Sequence, residues 1–240
     1  MEKLNALILA GGDDRPFFLI DGRPMVSYVL DALYGSNYIG SIAIAVDIAR
    51  LKASLGCNID YYIEGGSNLF ESVKRGIMPF TKDNHILIIT SDIPMIMPHM
   101  IDEFIEECQL EYADFYYPIV EKSINEIKFP NCRRTYVKLK EGWYTGGNLV
   151  CIAPGILDRC QSFIYDLTDN RKEPWKIGMM LGFRILSLFM MGKLTIPIIE
   201  SRIQEILNIT VKAIIMAHGE IANDVDEFAD IKNIIGYFDV

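Results

Sequence analysis

The chain is short of several things, and each shortage excludes a class of protein. Its five cysteines, Cys57, Cys108, Cys132, Cys151 and Cys160, are odd in number and form neither a C-x-x-C pair nor a zinc pattern. A disulfide framework is therefore not expected, and a reduced cytoplasm is the expected setting. Basic charge is in deficit, with 23 Lys and Arg against 32 Asp and Glu and a formal charge of −9. Such a surface repels a phosphate backbone, so nucleic acid is not an expected partner. Phosphate, where bound, needs a local device: a helix N-terminus, a few basic side chains or a divalent cation. Apolar runs are too short to span a membrane. The first stops at Gly11-Gly12, and the most membrane-like, Ile177 to Gly192, carries Arg184 in its middle and reads as a buried helix. The three histidines, His85, His99 and His218, are scattered at no ligand spacing and read as structural. No repeat, low-complexity tract or Pro/Gly/Ser linker is present.

What is there is an ordinary core, since half of the 240 residues are apolar. The expectation is one domain over 1–240, with a helical insertion over 154–208. In the first half, short Ile-rich runs bounded by Gly, Asn or Asp alternate with amphipathic stretches. Leu4–Ala10, Ser41–Val46, Asp60–Ile63 and His85–Thr90 read as buried strands. Pro24–Leu33, Ile48–Leu55, Asn68–Gly76 and Pro98–Cys108 read as helices, the third opened by a capping box of Asn68 and Glu71. That order implies a three-layer αβα fold on a mostly parallel, Rossmann-like sheet. After Tyr112 the rhythm changes: Asp114–Val120, Thr135–Leu139 and Leu149–Ile152 read as a small antiparallel addition, with a polar stretch, Glu121–Arg134, between them. Val211–Met216 reads as a last strand and Glu227–Phe238 as a terminal helix.

In open parallel sheets the ligand lies beyond the carboxyl ends of the strands, so the residues just after each strand are the informative ones. After the first come Gly11-Gly12-Asp13-Asp14-Arg15, where glycines admit close backbone approach and Arg15 can pair with phosphate. A bare tight turn would use the same glycines. After the fourth comes Asp92, placed to hold a hard cation, or to cap a turn. Asp224 and Asp226 lie two apart, on one side of an extended segment, though acids there also cap helices. Arg171-Lys172 can clamp a phosphate or form a solvated helix entry. Met179, Met180, Met190 and Met191 read as core filler.

Taken in order, these motifs resemble the nucleotidyltransferases of the glycosyltransferase-A fold, molybdenum cofactor guanylyltransferase-like enzymes among them. The matching runs are Leu7 to Gly12, Arg15 to Met25, Glu64-Gly65-Gly66 with Glu71-Ser72-Val73, Thr90 to Pro94, Thr145 to Asn148 and Asp224 to Ile231. The resemblance implies Mg2+-dependent transfer of a nucleoside monophosphate from a nucleoside triphosphate to a small phosphorylated or hydroxylated acceptor, with loss of pyrophosphate. It implies that Ala10, Gly11 and Gly12 receive the nucleotide, that Ser72 approaches the base, and that Arg15 takes the place of the phosphate-binding lysine. Asp92 becomes the main metal ligand, completed by Asp226 or Asp224, and Gly147 with Asn148 lines the acceptor side, with Arg171 and Lys172 as further phosphate clamps.

The chain departs from the family in one place. The family's longer Gly-x-Gly-x-Arg-Met-Gly loop and lysine are replaced by Asp13-Asp14-Arg15, and two acids where polyphosphate oxygens belong imply repulsion. Cations from elsewhere, loss of the reaction, and loop residues missing from this chain are the three readings of that departure. A nucleotide-sugar glycosyltransferase of the same fold and a non-catalytic nucleotide-binding protein are the rival functions. Self-association through a sheet edge or the helical segment is open.

Overall fold

In a computed structural model, which describes residues 3–54, 59–80, 84–157, 159–161, 174–227, 230–232 and 234, the Ile-rich runs become the parallel half of a nine-stranded sheet. The strands are β1 (Leu4–Leu9), β2 (Leu19–Ile20), β3 (Arg23–Pro24), β4 (Ile39–Val46), β5 (Tyr61–Glu64) and β6 (Ile86–Thr90), of which β2 and β3 form a separate two-stranded sheet. They continue with β7 (Phe115–Glu121), β8 (Val137–Lys138), β9 (Trp143–Gly146), β10 (Leu149–Ile152) and β11 (Val211–Met216). The helices that position the site are α1 (Met25–Gly35), α2 (Ile48–Ser54), α3 (Leu69–Gly76), α4 (Pro98–Leu110) and α5 (Lys122–Lys128).

Both faces of the central strands β1, β4 and β6 are buried, which is why these strands read as unbroken apolar runs. Ala6 and Ile8 of β1, Ile42 and Ile44 of β4, and Leu87 and Ile89 of β6 pack beneath α1 and α4 with Val29, Leu33, Met100 and Phe104. The residues between them, Leu7, Ala43, Ala45, Ile86 and Ile88, face the other way, against Phe70 and Val73 of α3. The fold is therefore α/β in three layers, helices covering a mixed, mostly parallel sheet.

β1 lies between β4 and β6, and β4 pairs β5, all in parallel. The later strands supply the expected antiparallel addition through β9 and β10, while β7 joins the parallel set. β10 is reversed against both β6 and β7, so β7 runs with the parallel set, and β11 pairs it in parallel over Phe115–Val120. With one edge of β7 taken by β11, β10 and β9 must share the other, β10 at Phe115–Tyr116 and β9 at Ile119–Glu121. Only β9 and β10 run against the main direction, since β8 reverses again on β9. The polar stretch after Glu121 holds α5, and Trp143–Gly146, which the apolar pattern passes over, is a strand.

Two local features follow from residue chemistry. Asp21 and Gly22, at φ 50° and 77°, form the two-residue turn between β2 and β3, the positive-φ pair that a tight hairpin requires. At α3, Asn68 Oδ1 accepts the Glu71 N–H at 2.9 Å, while the Glu71 carboxylate accepts from the Ser67 N–H at 2.7 Å and the Ser67 hydroxyl at 2.6 Å. The box closes on Ser67 rather than on Asn68, and those bonds together with Arg75 hold the Glu71 carboxyl down at about 2.

The membrane-like run is not one buried helix. It breaks at Gly182, whose φ of 105° favours glycine, into helices Pro174–Met180 and Phe183–Met190. Ile185 and Leu181 are buried, but Phe183, Met179, Met190 and Met191 are exposed, so the methionines are not simply core filler. A helix over Ile196–Leu207 follows. Among the described residues no helix is long and apolar enough to cross a membrane. The expected terminal helix shows helical residues at 230–232 and 234, and the rest of it lies outside the described residues.

α3 docks on β1 through Gly76, where a Cβ would stand 2.4 Å from Leu7 Cδ1. Leu7 is fully buried and has no room to yield. Gly76→Ala is expected to destabilise the fold by about 1–3 kcal/mol through overpacking, more than the roughly 1 kcal/mol that alanine gains in a helix. Urea unfolding checks this, and an unchanged or higher midpoint would refute the tight α3–β1 contact.

Candidate functional site

The carboxyl ends of β1, β4, β5 and β6 meet at one edge of the sheet, and the reversed β10 brings its first residue to the same edge. β1 leaves through Ala10, whose N–H donates to the Ala45 carbonyl at 2.9 Å, into Gly11 and Gly12. Both glycines are exposed. Gly12 has φ 105°, and a Cβ there would meet no atom within 4 Å, so the turn faces open space.

The acids after this turn have ion-pair partners within the chain. Asp13 accepts from the Arg15 N–H at 2.9 Å and from Nε at 2.7 Å. Asp14 pairs with Arg50 of α2, whose guanidinium lies 4.3 Å from the centre of the Phe17 ring. Each of the two aspartates thus has an arginine partner, although Arg15 is shared with two further carboxylates. Arg50 escapes the sequence because only the pairing of β1 with β4 brings α2 beside the turn.

β6 delivers Asp92. The buried Ser91 donates its N–H to the Leu9 carbonyl at 3.1 Å, fixing the strand end beside the glycine turn. Asp92 Oδ2 accepts from Arg15 Nη1 at 3.1 Å, and the same nitrogen donates to Asp226 Oδ1 at 2.8 Å. Asp92 Oδ1 is buried with no hydrogen-bond partner. Burial pushes the Asp92 carboxyl above its ordinary range; the hydrogen bond with Thr90 opposes the shift, Asp224 adds to it and Arg15 counters it.

The acids near the C-terminus arrive by a backbone contact. The Val225 N–H donates to the Asp92 carbonyl at 2.8 Å, and the Val225 side chain is buried with Ile20, Met25, Met95 and Phe129. On an extended segment that inward valine turns its two neighbours outward. Asp226, 58% exposed at its side chain, reaches Arg15, whereas Asp224, 18% exposed, pairs with Arg134. A buried polar lattice holds this segment. Asn125 of α5 accepts from Asn223 Nδ2 at 2.6 Å and donates to the Tyr136 hydroxyl at 2.9 Å, Asn223 Nδ2 also donates to the Gly219 carbonyl at 2.7 Å, and Lys128 pairs with the fully buried Glu220. Arg134 and this lattice carry no sequence signal beyond the polarity of Glu121–Arg134.

The remaining expected residues have structural partners at the same edge. Ser72 Oγ accepts from the Gly66 N–H at 2.9 Å and donates to the Asn68 carbonyl at 3.0 Å, shaping the loop after β5. Gly147 donates to the Pro118 carbonyl at 2.9 Å, and a Cβ there would come 2.6 Å from Ile221 Cγ2. Asn148 donates its N–H to the Ile221 carbonyl at 2.9 Å and its Nδ2 at 3.3 Å. Arg171 and Lys172 lie outside the described residues. The structure thus gathers Arg15, Asp92 and Asp226 around one nitrogen, with Asp224 alongside and the Ala10-Gly11-Gly12 turn adjacent. Three carboxylates, one with an unbonded buried oxygen, are oxygen donors of the kind a hard divalent cation takes, and the Arg15 guanidinium sits between two of them.

Comparison with known proteins gives this edge a context. The model of the MobA-like NTP transferase domain matches residues 6–171. Among solved structures, a hypothetical transferase from Thermus thermophilus is 26% identical, with a TM-score of 0.83 over 95% of this chain and 99% of that one. A CMP:2-keto-3-deoxy-manno-octonic acid synthetase complexed with CTP is 11% identical, with a TM-score of 0.65 over 99% of this chain and 98% of that one. A 4-diphosphocytidyl-2C-methyl-D-erythritol synthase from Anaerococcus prevotii is 13% identical, with a TM-score of 0.65 over 100% and 97%. The last two are likenesses of fold alone. A search of curated proteins by sequence found no match.

Two outcomes follow from the charge arrangement. Arg15→Ala removes an attraction that lowers the Asp92 pKa, so Asp92 is expected to titrate higher still, as carbon-detected carboxyl titration by NMR will show; a downward move would disprove the coupling. A carboxyl raised in the fold binds its proton more tightly folded than unfolded, so it costs stability as pH rises above the ordinary carboxylate range. Asp92→Asn is therefore expected to melt at or above the native temperature at neutral pH, and a clear loss would mean that the carboxylate is stabilising.

Proposed function

The chain belongs to the MobA-like NTP transferase family, and from that membership we propose that it transfers a nucleoside monophosphate from a nucleoside triphosphate to a small phosphorylated or hydroxylated acceptor, releasing pyrophosphate. The observation that carries the reading is the sharing of Arg15 Nη1 by Asp92 and Asp226, directly beside the open Gly11-Gly12 turn. An anionic polyphosphate needs cations and backbone amides at one place, and this is where the chain puts them.

In this proposal Asp92 with Asp226 or Asp224 would hold Mg2+, which would supply charge neutralisation to the phosphates. The fit rests on the buried, unbonded Asp92 Oδ1 and on the position of Arg15. The chain's own residues do the rest. Ala10, Gly11 and Gly12 admit the nucleotide, Ser72 lies toward its base, and Arg15 supplies positive charge to the phosphates. Arg50 and Arg134 add the cations that the short loop lacks. The acceptor enters by Gly147 and Asn148, with Arg171 and Lys172 as further clamps. An acceptor oxygen attacks the α-phosphorus in line; the new O–P bond forms as the bond to the β-phosphate oxygen breaks, and pyrophosphate leaves. Little covalent work falls to the protein, which suits a site with no nucleophile among the gathered residues. The four described cysteines are free thiols, consistent with a cytoplasmic setting.

The test has two stages. Thermal melting against each common nucleoside triphosphate, with and without magnesium, is expected to give a magnesium-dependent rise for one of them, about 2.7 kcal/mol of stabilisation at a hundredfold excess over Kd. With that donor, pyrophosphate release is expected to require both magnesium and a phosphorylated or hydroxylated acceptor, and Asp92→Asn is expected to lower it at least about 100-fold. Release of free nucleoside diphosphate from a nucleotide sugar, with no pyrophosphate from any triphosphate, would replace this reading with glycosyl transfer. Full activity in Asp92→Asn would remove Asp92 from the metal role.

A further inference from the structure

The three histidines are not all structural bystanders. His99 and Glu103 lie four apart on α4, the spacing that puts two side chains on one helix face. His218 follows β11, just before the turn Gly219–Ala222. The fold brings the three together: their ligand atoms all lie within 4.8 Å of one another. His218 Nε2 is 2.6 Å from Glu103 Oε2, and the His99 and His218 rings meet edge to face with centroids 5.4 Å apart. No sequence spacing announces this, because 115 positions separate Glu103 from His218.

We propose that His99, Glu103 and His218 form a binding site for a divalent transition metal of the zinc type, separate from the carboxylates around Arg15. Two imidazoles and one carboxylate are a zinc donor set, and a four-coordinate ion leaves its last position to water. Donors in such a site stand roughly 3.3 Å apart, a spacing that lies within the observed span. Imidazole selects zinc, copper or nickel over magnesium, which prefers oxygen, so the two sites divide the available ions by chemistry. His99 and Glu103 are exposed and His218 is partly so, which gives an ion direct entry.

The position of the trio gives the ion a purpose. α4 begins shortly after Asp92, and His218 shortly precedes Asp224 and Asp226. An ion at the trio ties α4 to the segment after β11, the two parts of the chain that adjoin the acids.

The experiment is calorimetric titration of chelator-treated protein with Zn2+ alone, in millimolar magnesium to keep the carboxylate site supplied. One Zn2+ per chain is expected, with a rise in melting temperature of roughly 5–10 °C at a hundredfold excess over Kd. His99→Ala and Glu103→Gln, both on the exposed face of α4, are each expected to weaken binding more than about tenfold, with circular dichroism unchanged. Substituted Co2+ should give a visible spectrum that both variants lose. No bound Zn2+, or binding that both variants leave intact, overturns the proposal; the second result would place the ion on the aspartates instead. None of these readouts depends on transferase activity, so failure here is separable from failure of the proposed reaction.

Discussion

The hydrogen bond from the Val225 N–H to the Asp92 carbonyl closes the site. The two residues are far apart in the chain, and one backbone contact at 2.8 Å brings them to the same strand end. Its strength alone is modest, of the order of 1 kcal/mol. What makes it decisive is that Val225 is also buried, so the segment is fixed both by a polar bond and by an apolar anchor. Asp224 and Asp226 are then turned outward by alternation, and the cations that meet them, Arg134 and Arg15, come from two other elements. Asn125, Asn223 and the Lys128–Glu220 pair supply the buried polar lattice beneath. Leaving any one of these groups without its partner costs more than the bond itself contributes.

The parallel half of the fold was legible because its physics is local and periodic. Leu4–Leu9, Ile39–Val46 and Ile86–Thr90 are apolar on both faces, and only a covered parallel sheet needs that. The α3 cap was legible as a pair, Asn68 and Glu71, although the carboxylate turned to Ser67. Strand direction after Tyr112 was not, because β7 and β11 are set by partners nearly a hundred residues away, and no local pattern encodes them. Trp143–Gly146 hides as a strand because it is only four residues long and half of it is glycine and threonine. The break at Gly182 was written in the sequence, yet a run of methionines and leucines on both sides masked it.

The candidate site divides in the same way. Arg15 and Asp92 could be picked out because strand ends concentrate chemistry, and Asp226 by its period-two spacing with Asp224 and the family resemblance; the structure gathers the three around one nitrogen. Arg50 and Arg134 could not be picked out, since each is an ordinary surface arginine until the sheet order is known. They change the electrostatic reading of the loop after Gly12. Two aspartates that looked like a barrier to phosphate are each paired with an arginine, in a chain whose formal charge is −9. Net charge describes the surface as a whole; a binding edge is set by its nearest neighbours.

The placement of β10 bears on how the molecule comes into being during synthesis. β1, β4 and β6 pair within the first 90 residues, so that half can assemble early from contacts of short separation. β6 gains its other neighbour only when Leu149–Ile152 has left the ribosome, β7 waits for Val211–Met216, and Asp92 meets its partners only after Val225 has emerged. The chain thus carries a half-built sheet with an open apolar edge for much of its translation, and the edge that holds the candidate site is completed last.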